Sequence, residues 1–203
     1  MRRALLAAVV VAAGGGSTLA FAANLNGVTA TSLTVYSAPS TVPTSSCSSG
    51  ATQDTWIDSA HKNTQHGSDA QLTVTAGGAS WALVEFAPCA PANAAIVSAS
   101  LNLYLASSPG GGRSYGAYPI TSSWSETVAW KNAPSTGGQS ASATPGGSGS
   151  TTSWSLASDV QAMVNGGSNY GWAIEDNGGG TASGSYSSRE GGNPPALSLV
   201  YYP

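Results

Sequence analysis

The stretch that decides the fold is Ile96-Val-Ser-Ala-Ser-Leu-Asn-Leu-Tyr-Leu105. Leu101, Leu103 and Leu105 occupy alternate positions in it, and successive side chains of a β-strand point to opposite faces of the sheet. The leucines therefore predict one buried face, while Asn102 and Tyr104 lie on the other. A strand of this length with one apolar face indicates a protein built around a β-sheet core.

Further short strands surround this stretch, and clusters of Gly, Pro, Ser and Asn separate them. The predicted strands are 54–58, 71–75, 80–86, 96–105, 115–120, 127–130 and 196–202. Residues 133–152 are rich in Gly, Ser, Thr and Pro and are predicted to form a long loop. Short strands joined by turns are typical of a β-sandwich or a β-barrel.

One short helix is predicted near residues 156–165. Its apolar residues, Leu156, Val160, Met163 and Val164, recur at helical spacing. The two glycines that follow residue 165 are typical of a helix end. The fold class is therefore all-β with one short helix.

The N-terminus predicts a secretory signal peptide over residues 1–22. Arg2 and Arg3 precede an unbroken apolar run, residues 4–13, and Ala20-Phe-Ala22 fits a cleavage site. An uncleaved membrane anchor is the alternative, although the polar and glycine residues 14–18 leave the apolar run shorter than a span needs. We expect a secreted protein with no stable membrane association after cleavage.

The rest of the chain divides into two parts. Residues 23–52 are rich in Ser, Thr, Ala and Pro and predict an N-terminal segment that joins the signal to a domain at residues 53–203. The two cysteines are Cys47 and Cys89, and an even number in an exported protein predicts a disulfide. Two free thiols are the alternative. Neither cysteine has the close Cys or His neighbour of a zinc site.

Charge is scarce, since only 7% of the 203 residues are charged and the net charge is −3. Six scattered cations cannot form the basic face that nucleic-acid binding requires. Loss of Arg2 and Arg3 with the signal leaves four cations against nine acids, a net charge of −5. This composition favours a binding or structural module over an enzyme.

A few charged residues are close enough in sequence to suggest a site. His61 and His66 share one loop with Asp58 and Asp69, but the spacing fits no defined zinc or calcium motif. A solvated polar loop is the preferred interpretation, and we expect no metal or other cofactor. A structural Ca²⁺ bound through Asp54 or Asp58 and backbone carbonyls is the alternative.

Glu126 and Glu190 are candidates for the carboxylate pair of a glycosidase. Spacing alone does not place them together. Arg189, next to Glu190, favours an ion pair with a structural role instead.

Nine short motifs in a fixed order carry a resemblance to a known family. They are Asp54-Thr-Trp-Ile57, Asn63 with Gly67, Leu83-Val-Glu-Phe86, Ala99-Ser-Leu-Asn-Leu-Tyr104, Trp124-Ser-Glu-Thr-Val-Ala-Trp130 with Pro134, Val160-Gln-Ala162 with Val164, Asn169-Tyr-Gly171, Ser188-Arg-Glu190 and Pro195-Ala-Leu-Ser-Leu-Val-Tyr201. Together they resemble the DNRLRE domain, also described as carbohydrate-binding module family 96. The resemblance implies a secreted antiparallel β-sandwich of jelly-roll type, and polysaccharide as the partner.

Aromatic side chains are the candidate sugar-binding residues, because the apolar face of a sugar stacks on a ring. Five of them are expected to point outward and form a platform: Trp56, Trp81, Tyr104, Tyr115 and Tyr118. The alternative is that they cover a second face of the fold. Five others are assigned to the core: Trp124, Trp130, Trp154, Trp172 and Tyr201.

We therefore expect a non-catalytic module that binds polysaccharide by aromatic stacking. A structural or adhesive cell-surface module without a sugar site is the second hypothesis. A polysaccharide-degrading enzyme is the third.

Overall fold

Ten β-strands and one α-helix make up the part of the chain that the computed structural model describes, residues 43–203. The strands are β1 (Ser45–Asp58), β2 (Gln71–Thr75), β3 (Ser80–Phe86), β4 (Ala95–Ser107), β5 (Tyr115–Pro119), β6 (Ala141–Ala143), β7 (Thr151–Ser155), β8 (Trp172–Glu175), β9 (Ser183–Ser187) and β10 (Ala196–Tyr202). The helix is α1 (Ala157–Val164), and Trp130–Asn132 form one 3-10 turn. The all-β class with one short helix is confirmed.

The predicted signal peptide, residues 1–22, lies outside the described residues, as does most of the predicted segment 23–52. The last part of that segment belongs to β1, which begins at Ser45. None of the helices in residues 43–203 is long and apolar enough to cross a membrane.

Six strands close into an antiparallel barrel in the order β1, β10, β4, β9, β2, β3 and back to β1. The predicted jelly-roll sandwich is therefore wrong. The physical reason is that β1 and β4 are each long enough to change partner along their length, so they join the two sheets that a sandwich would keep apart. Ser45–Gly50 of β1 pair with β10, and Ala51–Asp58 pair with β3. β4 pairs first with β10 and then, from Leu105, with β9.

A break in register accompanies each change of partner. The register of β1 against β3 shifts between Ala51 and Gln53, and that of β4 against β9 shifts between Leu105 and Ser107. An extra residue of this kind bends a strand and increases its twist. Alternation along one strand does not reveal such a bend, so the sequence pattern left sandwich and barrel equally open.

The remaining strands extend the barrel wall. β8 pairs with β3, β5 with β8, and β6 with β5, while β7 pairs with β4. β8 therefore pairs with β3 opposite β1, on the side where β2 pairs at Ser80, and β5 follows β8.

The barrel interior is apolar and closely filled. Leu101, Leu103 and Leu105 are fully buried there, as the alternation of β4 predicts. Trp154 and Trp172 are also fully buried, which confirms their assignment to the core. Helix α1 closes one side through residues 160 and 164.

A second apolar cluster lies on the outer face of β3 and β8. Ile57, Leu83, Ile120, Val128 and Ala173 are buried in it. Residues 127–130, predicted as a strand, instead lie in the loop that covers this face, where residue 128 contributes to the cluster. This loop explains why β3 is apolar on both faces, since a strand covered on both sides lacks the polar alternation of a half-exposed one.

Cys47 and Cys89 form the predicted disulfide. It connects β1 to the segment that follows β3, with the two Cα atoms 6.1 Å apart.

Candidate functional site

The structure brings together two of the five aromatic residues that the sequence analysis selected. Trp81 and Tyr118 both lie at the edge of the second apolar cluster. Trp56, Tyr104 and Tyr115 lie elsewhere, so the five rings do not form one platform.

The prediction that Tyr115 points outward is wrong, because Tyr115 is fully buried inside the barrel. Its ring meets that of Tyr186 edge to face, with the centroids 6.1 Å apart. Burial raises the pKa of Tyr115 to about 12. The reason is the phase of β5, in which Tyr115 and Ala117 face the core and Tyr118 therefore faces outward.

Trp56 and Tyr104 are partly exposed but isolated from the other rings. The ring of Trp56 stacks on His66, with centroids 3.7 Å apart, and its Nε1 donates to Oδ2 of Asp69 at 2.9 Å. Tyr104 lies on the outer face of β4, where it pairs with Thr151 of β7. Trp56 is thus engaged by the polar loop that precedes β2.

Trp81 has an aromatic neighbour that the sequence analysis assigned to the core. Its ring centroid lies 5.0 Å from that of Trp130, and the two planes are tilted by 59°. Trp124 and Tyr170 also border this cluster and are partly exposed, and Trp124 Nε1 donates to the carbonyl of Tyr170 at 2.8 Å. In the sequence, Trp124 and Trp130 stand among small and polar residues over 122–130, a composition that suits a loop better than a core strand.

Polar side chains complete this surface beside Tyr118. The Tyr118 hydroxyl donates to Oε1 of Gln139 at 2.8 Å and accepts from Nδ2 of Asn177 at 2.8 Å. Gly116 allows this packing, because a Cβ there would lie 2.5 Å from Cε2 of Tyr118. We refer to Trp81, Trp130, Tyr118, Gln139 and Asn177 as the ring face.

A buried carboxyl lies beneath the ring face. Ala82 pairs with Ile174, so the next pair along the sheet brings Trp81 beside Glu175. Burial raises the pKa of Glu175, and its hydrogen bond with Asn177 opposes the rise. The indole Nε1 of Trp81 is also buried and has no hydrogen-bond partner. The ring face therefore combines apolar rings with amide groups and one unpaired donor.

A second arrangement is a cluster of carboxylates around Arg189, which we call the acidic cluster: Asp54, Glu126 and Glu190. One oxygen of each lies within 4.8 Å of the others. The guanidinium Nη2 of Arg189 is 2.6 Å from Oε1 of Glu126, and its Nε is 3.4 Å from Oε1 of Glu190. The predicted pairing of Arg189 with Glu190 is present, and Glu126 shares the same guanidinium.

Asp54 is the buried member of the acidic cluster, with 1% of its surface exposed. Its Oδ2 accepts the backbone N–H of Arg189 at 2.7 Å, while its Oδ1 is buried without a partner. Burial raises the pKa of Asp54 to about 7. The Arg189 N–H and guanidinium oppose this rise, and the charges of Glu190 and Glu126 add to it.

Four separate motifs of the sequence converge on the acidic cluster. Asp54 comes from β1, Glu126 from the loop after β5, and Arg189 with Glu190 from the turn after β9. Gly67 fits against Glu126 so closely that a Cβ would overlap the Glu126 carbonyl oxygen. The motifs therefore describe one local structure rather than separate strands.

Ser188 fixes the turn that carries Arg189 and Glu190. Its hydroxyl donates to the carbonyl of Asp69 at 2.6 Å and accepts the N–H of Glu190 at 3.2 Å. Its own N–H donates to the carbonyl of Ala70 at 3.1 Å. The turn is thus held against the end of the polar loop.

The two histidines of that loop each pair with their own carboxylate. Nδ1 of His61 lies 2.5 Å from Oδ2 of Asp58, and Nδ1 of His66 lies 2.8 Å from Oδ2 of Asp69. Within residues 43–203, the acidic cluster is the one group of three or more such side chains whose ligand atoms come this close.

The comparisons with known proteins agree with the motif pattern. No curated protein matches the chain. The model of carbohydrate-binding module family 96 matches residues 45–201, a span that begins and ends within β1 and β10. This match covers the whole barrel, the ring face and the acidic cluster. The chain therefore belongs to carbohydrate-binding module family 96.

Proposed function

We propose that this protein is an extracellular, non-catalytic module that binds polysaccharide at the ring face. The observation that carries the proposal is the tilted pair of Trp81 and Trp130 beside Tyr118, partly exposed on one surface with two amide side chains. Membership of a carbohydrate-binding family supports the class of ligand. The disulfide supports an oxidising, extracellular environment.

Rings of this kind suit a sugar ligand. A pyranose has apolar C–H faces as well as hydroxyl groups, and Trp and Tyr offer a broad apolar face with a polar edge. Trp81 and Trp130 are tilted by 59°, so they form an angled rather than a flat surface. Such a surface favours a chain that is twisted or bent over one that is flat.

The amides beside the rings supply the hydrogen bonds that a sugar needs. Gln139 and Asn177 are both exposed, and each amide has donors and acceptors for hydroxyl groups. The side chains that form the ring face carry no formal charge. This favours a neutral polysaccharide over an acidic one.

The acidic cluster supports the non-catalytic part of the proposal. A glycosidase needs one carboxyl that protonates the leaving group and a second that acts as base or nucleophile. Glu126 and Glu190 both engage the guanidinium of Arg189, so the two carboxyl groups are turned toward the same cation.

Affinity electrophoresis through gels that contain neutral or acidic polysaccharides tests the proposal. We expect retardation by at least one neutral glycan, and a loss of affinity of about tenfold or more in Trp81→Ala and Trp130→Ala. Tyr202→Ala, an exposed aromatic at the end of β10, is the matched control and should bind like the original protein. Circular dichroism must show that each variant is folded.

Two results would contradict the proposal. Absence of retardation on every polysaccharide would favour the structural or adhesive module. Release of new reducing or unsaturated ends would favour an enzyme.

A further inference from the structure

We propose that the acidic cluster is a calcium site, in which Asp54, Glu126 and Glu190 bind one Ca²⁺ ion. Nothing in the family match requires this site, and it is independent of the ring face. It rests on the geometry of the three carboxylates, on an oxygen that lacks a partner, and on the charge of the cluster.

The geometry permits one ion to contact all three residues. Two oxygens on opposite sides of the same Ca²⁺ are roughly 5 Å apart, because each Ca–O distance is about 2.3–2.6 Å. One oxygen of each of the three carboxylates lies within 4.8 Å of the other two. An ion among them therefore requires little movement of the side chains.

The unpaired oxygen is the observation that distinguishes this cluster from an ordinary acidic surface. Asp54 is 1% exposed, and its Oδ1 is buried without any hydrogen-bond donor. A buried carboxylate oxygen without a partner is unfavourable, because it has lost its water and gained nothing in exchange. A bound cation supplies the missing interaction.

The charge of the cluster matches a divalent cation. The three carboxylates carry three negative charges, and Arg189 contributes one positive charge in contact with Glu126. Two negative charges remain. The guanidinium and the Asp54 backbone N–H both reach Oε1 of Glu126, so its other oxygen is available to an ion.

The chemistry of the ligands favours calcium over other metals. All three side chains offer only oxygen atoms, whereas zinc prefers His and Cys. Magnesium demands a near-ideal octahedron with shorter bonds, while calcium accepts six to eight oxygens in flexible geometry. An irregular set in which Arg189 occupies one side suits the more tolerant ion.

A bound ion would join three segments that are far apart in the sequence. Asp54 belongs to β1, Glu126 to the loop that also carries Trp124 and Trp130, and Glu190 to the turn after β9. The ion should therefore stabilise the folded state and fix the covering loop against β1.

Isothermal titration calorimetry with CaCl₂ on protein stripped with EDTA tests the proposal, together with the melting temperature. We expect one Ca²⁺ per chain, and a rise of about 5 °C or more when free Ca²⁺ exceeds Kd by 100-fold. Asp54→Asn and Glu190→Gln should abolish the heat and the rise. Glu190 is partly exposed, so its variant should fold even if Asp54→Asn does not.

Asp58→Asn is the matched control, since Asp58 lies on the same strand but pairs with His61 outside the cluster. It should retain the full response to Ca²⁺. The proposal is overturned if Ca²⁺ up to millimolar concentration gives neither heat nor a shift. It is also overturned if the response survives in Glu190→Gln, disappears in Asp58→Asn, or is equally large with MgCl₂.

Discussion

The backbone N–H of Arg189 donates to Oδ2 of Asp54 at 2.7 Å, across 135 residues of sequence. This hydrogen bond ties the turn after β9 to the middle of β1. It satisfies one oxygen of the carboxylate and leaves the other, Oδ1, buried without a partner. The hydrogen bond thus connects two distant segments of the fold, and it also keeps the Asp54 carboxyl buried.

The first prediction concerns the stability of the metal-free protein against pH. The pKa of Asp54 is raised from 3.8 to about 7 in the folded state. Between these values the folded protein keeps a proton that the unfolded chain loses, so this group makes stability fall as pH rises. In EDTA, this group should lower the free energy of unfolding by about 3 kcal/mol between pH 4 and pH 7.

Other carboxyl groups titrate in the same range, so the comparison is with Asp54→Asn. Asn can still accept the Arg189 N–H but carries no charge. Urea unfolding should show the variant gaining stability relative to the original protein as pH rises from 4 to 8. A constant difference across this range would contradict the raised pKa.

The second prediction concerns Gly67. A Cβ at this position would overlap the carbonyl oxygen of Glu126 and lie 2.7 Å from its Cβ. Since the collision is with backbone, Gly67→Ala should destabilise the protein by about 1–3 kcal/mol. Gly192→Ala is the control, because nothing lies within 4 Å of a Cβ there. Equal melting temperatures for the two variants would contradict the prediction, because they would show that the loop around Glu126 can move aside without loss of stability.

The third prediction concerns the disulfide. Cys47 and Cys89 are separated by 42 residues, and closing a loop of this length limits the freedom of the unfolded chain. Replacing both by Ser should lower the free energy of unfolding by about 4 kcal/mol. Denaturant titration of the double variant, and of the original protein with and without reductant, provides the measurement. A reduced protein as stable as the oxidised one would contradict this account.

The fourth prediction separates stacking from hydrogen bonding at the ring face. Tyr118→Phe keeps the ring but removes the hydroxyl that joins Gln139 and Asn177. Binding of a retarding glycan should weaken by about 2- to 10-fold, the equivalent of one ordinary hydrogen bond. Tyr118→Ala should weaken it further. If the Phe variant binds as well as Tyr118, the amides do not depend on this hydroxyl for their positions.

Local pattern was enough to predict several parts of the fold. The alternation of Leu101, Leu103 and Leu105 gave β4 its buried face, and the spacing around Val160 gave helix α1. Both depend on residues within one element. The all-β class was predicted from the short strands and the turn residues between them. The Cys47–Cys89 disulfide was predicted from the even number of cysteines.

Among the strands that the sequence did not reveal, β6 and β9 consist mostly of small residues. β9 reads Ser183-Gly-Ser-Tyr-Ser187, and its glycine is required by a distant neighbour. A Cβ on Gly184 would lie 3.0 Å from the hydroxyl of Tyr115 and 2.9 Å from Pro109. Such a requirement comes from tertiary packing and leaves no periodic signal in the segment itself.

Some residues of the candidate sites could also be predicted from local sequence, whereas others depend on contacts between distant segments. Trp81 and Tyr118 face outward as expected, whereas Tyr115 faces the core, because the phase of β5 depends on where the strand begins. Trp130 reaches Trp81 at the end of a long loop rather than on a strand, and strand alternation does not predict such a contact. The acidic cluster needs β1 and two distant turns together, which no local spacing reveals.

Closure of the barrel also affects how separate copies of this protein behave toward one another. Each of the six barrel strands has a strand neighbour on both sides over at least part of its length. Within residues 43–203, the strands at the ends of the pairing order, β6 and β7, have only three and five residues. Unpaired strand edges are where chains add to one another and aggregate. With only 7% charged residues, electrostatic repulsion between copies is weak. Short strands at the ends of the pairing order therefore limit aggregation in this protein, where surface charge is too sparse to do so.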